Sequence, residues 1–220
     1  MKTTLSTLRR MWLCLALFMA VAGAWAQATQ AKYVFYFIGD GMGVNQVNAT
    51  QTYLAALQGR IGVQPICFTQ FPYAALVTTY SATNGVTDSA AAGTALATGR
   101  KTKNGALGML ADQQTHVNSV AEWARQAGAA VGVATSVSVD HATPAAFYAH
   151  QAGRGSYYNI GQDLVRAGFD FYAGSDFLQP QDPHNAQAPS LYKQCAEAGY
   201  AVARGYNDYQ RKARRAGKMI

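Results

Sequence analysis

The chain has 220 residues, half of them hydrophobic, and carries 18 Lys and Arg against 11 Asp and Glu for a formal charge of +7. That excess sits at the two ends, in Lys2, Arg9 and Arg10 and in Arg211, Lys212, Arg214, Arg215 and Lys218, so the balanced body offers no nucleic-acid surface. Three cysteines without metal-finger spacing exclude a disulfide framework and a zinc finger.

Residues 1–26 read as a signal peptide. Lys2, Arg9 and Arg10 form a basic region, Met11 to Ala22 an apolar stretch, and Ala24-Trp25-Ala26 supplies small residues at a signal-peptidase spacing. The apolar stretch is shorter than the about 20 residues a membrane span needs. The expectation is an exported protein, periplasmic or secreted, without membrane attachment after cleavage. Residues 27–220 are long enough for one domain with a real core. Within them, Cys67 and Cys195 read as two buried thiols or one incidental bridge.

Lys32 to Ile38 is an aromatic and β-branched run, as in a strand buried on both faces. It ends at Gly39-Asp40-Gly41-Met42-Gly43, and a helix is expected from Val44 to Leu57. Tyr73 to Tyr80 is a second strand candidate, leading through a polar turn to Ser89 and an Ala-rich helix. Val117 to Gln126 reads as an amphipathic helix with Gly128 beyond its end. Ala130 to Ser136 reads as a strand, and a helix is expected from Pro144 with Thr143 in its capping region. Tyr157 to Ala167, Ser190 to Ala198 and Tyr206 to Ala216 read as helices, Phe169 to Ala173 and Tyr200 to Arg204 as strands. Lys218-Met219-Ile220 looks like the opening of another strand. Strands alternating with helices imply a layered α/β/α fold with a largely parallel central sheet, incomplete at its C-terminal side. The chain therefore reads as the N-terminal part of a longer protein.

Ligands of such sheets bind outside the carboxyl ends of the strands. Asp40 follows the first expected strand, Ser89 the second, and His141 and Thr143 the third. Asp40 is either a turn aspartate or an unshielded ligand carboxylate. Gly39-x-Gly41-x-Gly43 has the wrong spacing for a dinucleotide loop. Ser89 is either a helix cap or a nucleophile at an anion-friendly helix N-terminus. It lacks a GxSxG elbow and an evident His–Asp pair, which leaves metal coordination as its route to activation. His150 reads as a packed or surface histidine, and His116 and His184 carry no motif.

Val86 to Gly108, with Thr87-Asp88-Ser89-Ala90-Ala91-Ala92-Gly93, resembles the nucleophile segment of the alkaline phosphatases. Phe37-Ile-Gly-Asp-Gly-Met-Gly43 resembles that family's first metal-binding motif, and His141-Ala-Thr-Pro-Ala-Ala-Phe-Tyr-Ala-His150 with Arg154 its third. The resemblance implies two zinc ions and one magnesium ion, phosphate monoesters as substrates, and room for a homodimer. It also implies roles residue by residue. Asp40 would bridge a zinc ion and the magnesium, and Ser89 would form a phosphoserine. Thr143 would ligate magnesium, Arg154 would hold two phosphate oxygens, and Asp88 would orient Arg154. His141 stands where some relatives carry aspartate, which opens the metal preference of that third position.

The family's remaining ligands, a glutamate and Asp/His groups for the zinc ions, do not occur between Arg154 and Ile220. Barrier lowering in monoester hydrolysis approaches about 29 kcal/mol, much of it from paired metals. The 220-residue chain is therefore expected to bind zinc poorly and turn over slowly. A superfamily phosphodiesterase or sulfatase is an alternative, although Ser89-Ala-Ala-Ala-Gly lacks a sulfatase context and Arg154 favours monoesters. A non-catalytic, phosphate-binding fragment is another.

Overall fold

The computed structural model describes residues 31–220, in two units: the described part of the first, 31–41, and Met42–Ile220. The signal peptide expected over 1–26 lies outside the described residues. Among the described residues, no helix is long and apolar enough to cross a membrane.

In the first unit, residues 33–39 form no strand, and a turn follows at Asp40-Gly41. Tyr33, Val34, Phe35 and Phe37 are 72–88% exposed. The expected strand at 73–80 is likewise absent, with Tyr73, Leu76 and Val77 exposed. Both findings correct the sequence reading. A strand needs a hydrogen-bonded neighbour along at least one edge, and its two faces are buried by the layers packed on that sheet; no strand among the described residues pairs with either segment.

The second unit is built on a four-stranded parallel sheet. Its strands are β1 (Gly132–Ala134), β2 (Phe171–Ala173), β3 (Tyr200–Ala201) and β4 (Lys218–Met219), in the order β1-β2-β4-β3. Gly132 pairs with Phe171, Phe171 with Met219, and Tyr200 with Lys218. Parallel neighbours require crossovers, and helices supply them. The expected strands at 130–136, 169–173 and 200–204 are in place but shorter, and the expected strand opening at 218–220 is β4.

Helix α1 (Val44–Leu57) begins after Gly43, whose N–H is taken by the Gln46 side chain at 3.1 Å. Helix α2 (Ser89–Thr98) follows Asp88. Helix α3 (Val120–Gln126) starts later than expected because Ser119 caps it reciprocally with Glu122. Helix α4 (Ala142–Ala145) begins at Ala142 with His141 at its N-cap, not at Pro144. Helix α5 (Tyr157–Ala167) has the expected bounds, and α6 (Leu191–Glu197) and α7 (Tyr206–Ala213) complete the set.

The core lies where α5 and α6 meet the sheet, around Ile160, Leu164, Phe169, Tyr172 and Leu191, each no more than 1% exposed. Three tyrosines enter this core and place their hydroxyls on backbone carbonyls: Tyr148 on Val139, Tyr172 on Leu164 and Tyr200 on Phe169. The buried O–H groups are thereby satisfied while the rings contribute apolar area. Cys195 is buried and Cys67 exposed, and both are free thiols. Neither the paired nor the doubly buried reading holds, because these two cysteines sit in unlike environments.

Candidate active site

Helix α2 is capped by Asp88, not by Ser89. The Asp88 Oδ1 accepts the Ala91 N–H at 2.9 Å, and Ser89 occupies the first helical position. The capping reading of Ser89 is therefore replaced: among the described residues no hydrogen bond occupies its half-buried hydroxyl. It stands at the positive end of a ten-residue helix, whose first turn carries N–H groups without intrahelical partners.

The second oxygen of Asp88 does different work. Its Oδ2 accepts the Gly105 N–H at 3.1 Å and the Arg154 Nη1 at 3.1 Å. Burial on its own raises the Asp88 carboxyl, but the Ala91 and Gly105 N–H groups and the Arg154 guanidinium outweigh it and hold the group below its ordinary value. Arg154 Nη2 lies 3.4 Å from His141 Nε2. With Nε2 accepting, the His141 proton sits on Nδ1, which is buried without a hydrogen-bond partner.

Thr143 reaches the same region through a close helix contact. A side chain at Gly93 of α2 would stand 3.0 Å from the Ala146 Cβ and 3.5 Å from the Thr143 carbonyl oxygen, so glycine lets α2 and α4 meet. Ser89, Asp88, His141, Thr143 and Arg154 thus all belong to the second unit, held by α2, α4 and the segment after His150. Asp40 lies in the first unit, in an exposed turn, and is described there by itself. Of the three expected strand-end positions, only that of His141 and Thr143 follows a strand, β1.

A strap at 104–108 fastens these pieces together. Asn104 Nδ2 donates to the Val86 carbonyl at 3.0 Å. The fully buried Thr94 Oγ1 donates to Ala106 O at 3.2 Å and accepts from Gly108 N at 3.1 Å, tying the strap to α2. Leu107 and Gln151 exchange both backbone hydrogen bonds, at 2.9 and 3.0 Å. Sequence reasoning missed this strap, as it missed Glu122 and the buried Asp140. Ser119-x-x-Glu122 does carry a capping-box spacing that could have flagged Glu122. Asp140 accepts the Leu178 N–H at 2.9 Å, and burial raises its carboxyl.

A cleft of about 610 Å³ opens elsewhere, at the carboxyl ends of β2, β3 and β4, lined by Tyr192, Arg204 and Tyr209 among others. None of the expected site residues lines it, and its charges are matched internally: Arg204 lies 3.3 Å from Asp176.

The alkaline phosphatase family model matches residues 31–170. The chain belongs to the alkaline phosphatase family. It is 39% identical over 142 residues to the tissue-nonspecific alkaline phosphatase isozyme of Gallus gallus, covering 60% of this chain and 27% of that protein. The alkaline phosphatase of Thermus thermophilus superposes with a TM-score of 0.69 at 32% identity, over 84% of this chain and 38% of the other. A mutant alkaline phosphatase from the Antarctic bacterium TAB5, with Mg bound in its M3 site, gives a TM-score of 0.69 at 28% identity, over 83% and 49%. This alkaline phosphatase family member thus spans about a quarter to a half of the length of these relatives.

The family implies metals, and the donor set tests that implication. Among the described residues, no three His, Cys, Asp or Glu side chains converge to hold a metal ion. The orphaned His141 Nδ1 carries the ring proton while Nε2 accepts from Arg154, so it offers no lone pair in this arrangement, whereas zinc takes four ligands. The described residues do not form a zinc centre.

Proposed function

We propose that this chain carries the phosphate-binding and nucleophile half of an exported, metal-dependent phosphomonoesterase working through a phosphoserine at Ser89. One carboxylate carries the reading: Asp88 caps the helix that begins at Ser89 and, with its other oxygen, holds Arg154. The guanidinium retains donors for two oxygens of a phosphoryl group, in the planar fork suited to that anion. Phosphoryl transfer would form a bond from Ser89 Oγ to phosphorus and break the bond to the ester oxygen, releasing the alcohol. The N-terminal N–H groups of α2 and Arg154 would offset the negative charge. Arg154 occupies oxygens that a diester would substitute, which favours monoesters.

Two zinc ions and one magnesium complete this reading, supported by family membership and by the Mg-bound relative. Metals, when bound, supply activation of the serine hydroxyl. This sequence offers Asp40, Thr143, His141 and Ser89 as donors, short of the sets the zinc ions take. The short donor set favours, as a second reading for the 220-residue polypeptide alone, phosphate binding without turnover.

Titration of inorganic phosphate into the chain tests the shared part of both readings. Binding weakened by Arg154→Ala and by Asp88→Ala is the expected result. Binding that survives both substitutions unchanged overturns the assignment.

A further inference from the structure

His150 lies outside the phosphate-binding residues, yet its ring joins the strap to α3. Nδ1 lies 2.8 Å from the Gly108 carbonyl oxygen and Nε2 lies 2.9 Å from Glu122 Oε1. Both partners are acceptors, so both ring nitrogens must donate, and an imidazole donates from both only when protonated. Gly108 is shaped to this contact: its φ is +57°, and a Cβ there would overlap the Ala149 carbonyl oxygen and stand 2.7 Å from His150 Nδ1.

The two sides of the ring lead to the two halves of the Asp88–Arg154 pair. Through Gly108 the ring holds the strap, whose Gly105 N–H rests on Asp88 at 3.1 Å. Through the backbone, His150 is followed by Gln151, which the strap's Leu107 grips from both N–H and C=O. Gln113 Nε2 then holds the Ala152 carbonyl at 2.7 Å, just before Arg154.

We infer that His150 is a positioning residue for Arg154: its protonated ring clasps the strap to α3, and loss of the proton loosens the register between Arg154 and Asp88. The inference rests on the phosphate-holding role proposed for Arg154. The groups facing His150 are few. Glu122 approaches from α3. Asp163 of α5 accepts the His150 backbone N–H at 3.1 Å and is itself paired with Arg166. His116 stacks on the ring at 4.8 Å between centroids and 6° between planes. The strap presents only its carbonyl. The hydrogen bond to Glu122 raises the His150 pKa against the opposing effect of burial, and the Gly108 carbonyl adds to it.

When the proton leaves, Nε2 presents a lone pair to the Glu122 carboxylate, an acceptor facing an acceptor. The folded-state pKa is raised, so the clasp is complete below the ordinary value of about 6.5 and is lost as pH rises through the raised one.

The experiment is an NMR pH titration of the full 220-residue chain. It follows the His150 ring, the Leu107 and Gln151 amides and the Arg154 guanidinium, with inorganic phosphate affinity measured at each pH. The expected result is one midpoint shared by all these probes, shifted to lower pH in Glu122→Gln and absent from the amide and Arg154 signals in His150→Gln. An unchanged step at Leu107, Gln151 and Arg154 in His150→Gln overturns the inference, as does a midpoint that ignores Glu122→Gln. If His150→Gln does not fold, the Glu122→Gln shift decides alone. If phosphate fails to bind at any pH while the shared midpoint is present, the Arg154 role is lost and the coupling through His150 stands.

Discussion

Asp88 and Arg154 are 66 positions apart in the chain and meet at 3.1 Å, while the other oxygen of the same carboxylate caps the helix headed by Ser89. A single side chain thus fixes both the start of α2 and the position of a guanidinium. Replacing it with asparagine separates the two tasks, because asparagine remains a good N-cap but carries no charge for Arg154.

Asp88→Asn is expected to weaken phosphate binding more than it weakens the fold. The carboxyl is depressed in the folded state, so its contribution to stability is present above the ordinary carboxylate value of about 3.9 and is lost as pH falls through the depressed one. Urea midpoints of wild type and variant should differ at pH 7 and converge in acid. A gap that persists at the lowest pH would sink the charge argument.

Ser89→Ala tests whether the hydroxyl supports the helix. A lost cap costs about 1 kcal/mol, but Asp88 holds that place and alanine is the better helix former. The variant is expected to match or slightly exceed the wild type in urea unfolding, within about 0.5 kcal/mol. Destabilisation of the full capping size would return Ser89 to a structural role.

Gly108→Ala asks for a side chain where none fits. The positive φ and the adjoining Ala149 carbonyl both oppose it, and overpacking of this kind costs about 1–3 kcal/mol. Denaturant unfolding should show that loss, and the amide exchange of Leu107 and Gln151 should accelerate with it.

The thiols should separate cleanly by reactivity. Cys195 is buried, and desolvation pushes its pKa up to about 11, which suppresses the thiolate. Cys67 is exposed. Iodoacetamide at neutral pH is expected to label one site in the native chain and two after denaturation, as read by mass spectrometry of residues 31–220.

Turnover is the remaining prediction. With zinc and magnesium added, the 220-residue polypeptide is expected to hydrolyse p-nitrophenyl phosphate little above background, because the donors among the described residues fall short of a zinc set. Robust hydrolysis abolished by Ser89→Ala would show that the residues present suffice.

Local signals specify the helices: the bounds of α1 and α5 follow from helix periodicity and from the glycines beside them. They do not specify the segments 32–38 and 73–80, since an apolar run gives burial preference but not the partner that provides it. Asp88 and Ser89 are both strong N-cap types, so only the bond to Ala91 distinguishes them. The pairing of Asp88 with Arg154 came from family resemblance. The clasp of His150 had no local signal, because its partners lie 28 and 42 positions away.

The placement of β4 between β2 and β3 makes the place of β3 in the sheet depend on the last residues of the chain. Strand β3 has no ladder to join without β4, since β2 is not its neighbour. Lys218 and Met219 bridge the gap, with Met219 N–H on Asp170 O at 3.0 Å and Ile220 N–H on Ala201 O at 3.2 Å. Displacement of these few residues would bare an edge of β2, and unpaired edges of that kind are where chaperone capture or aggregation competes with folding.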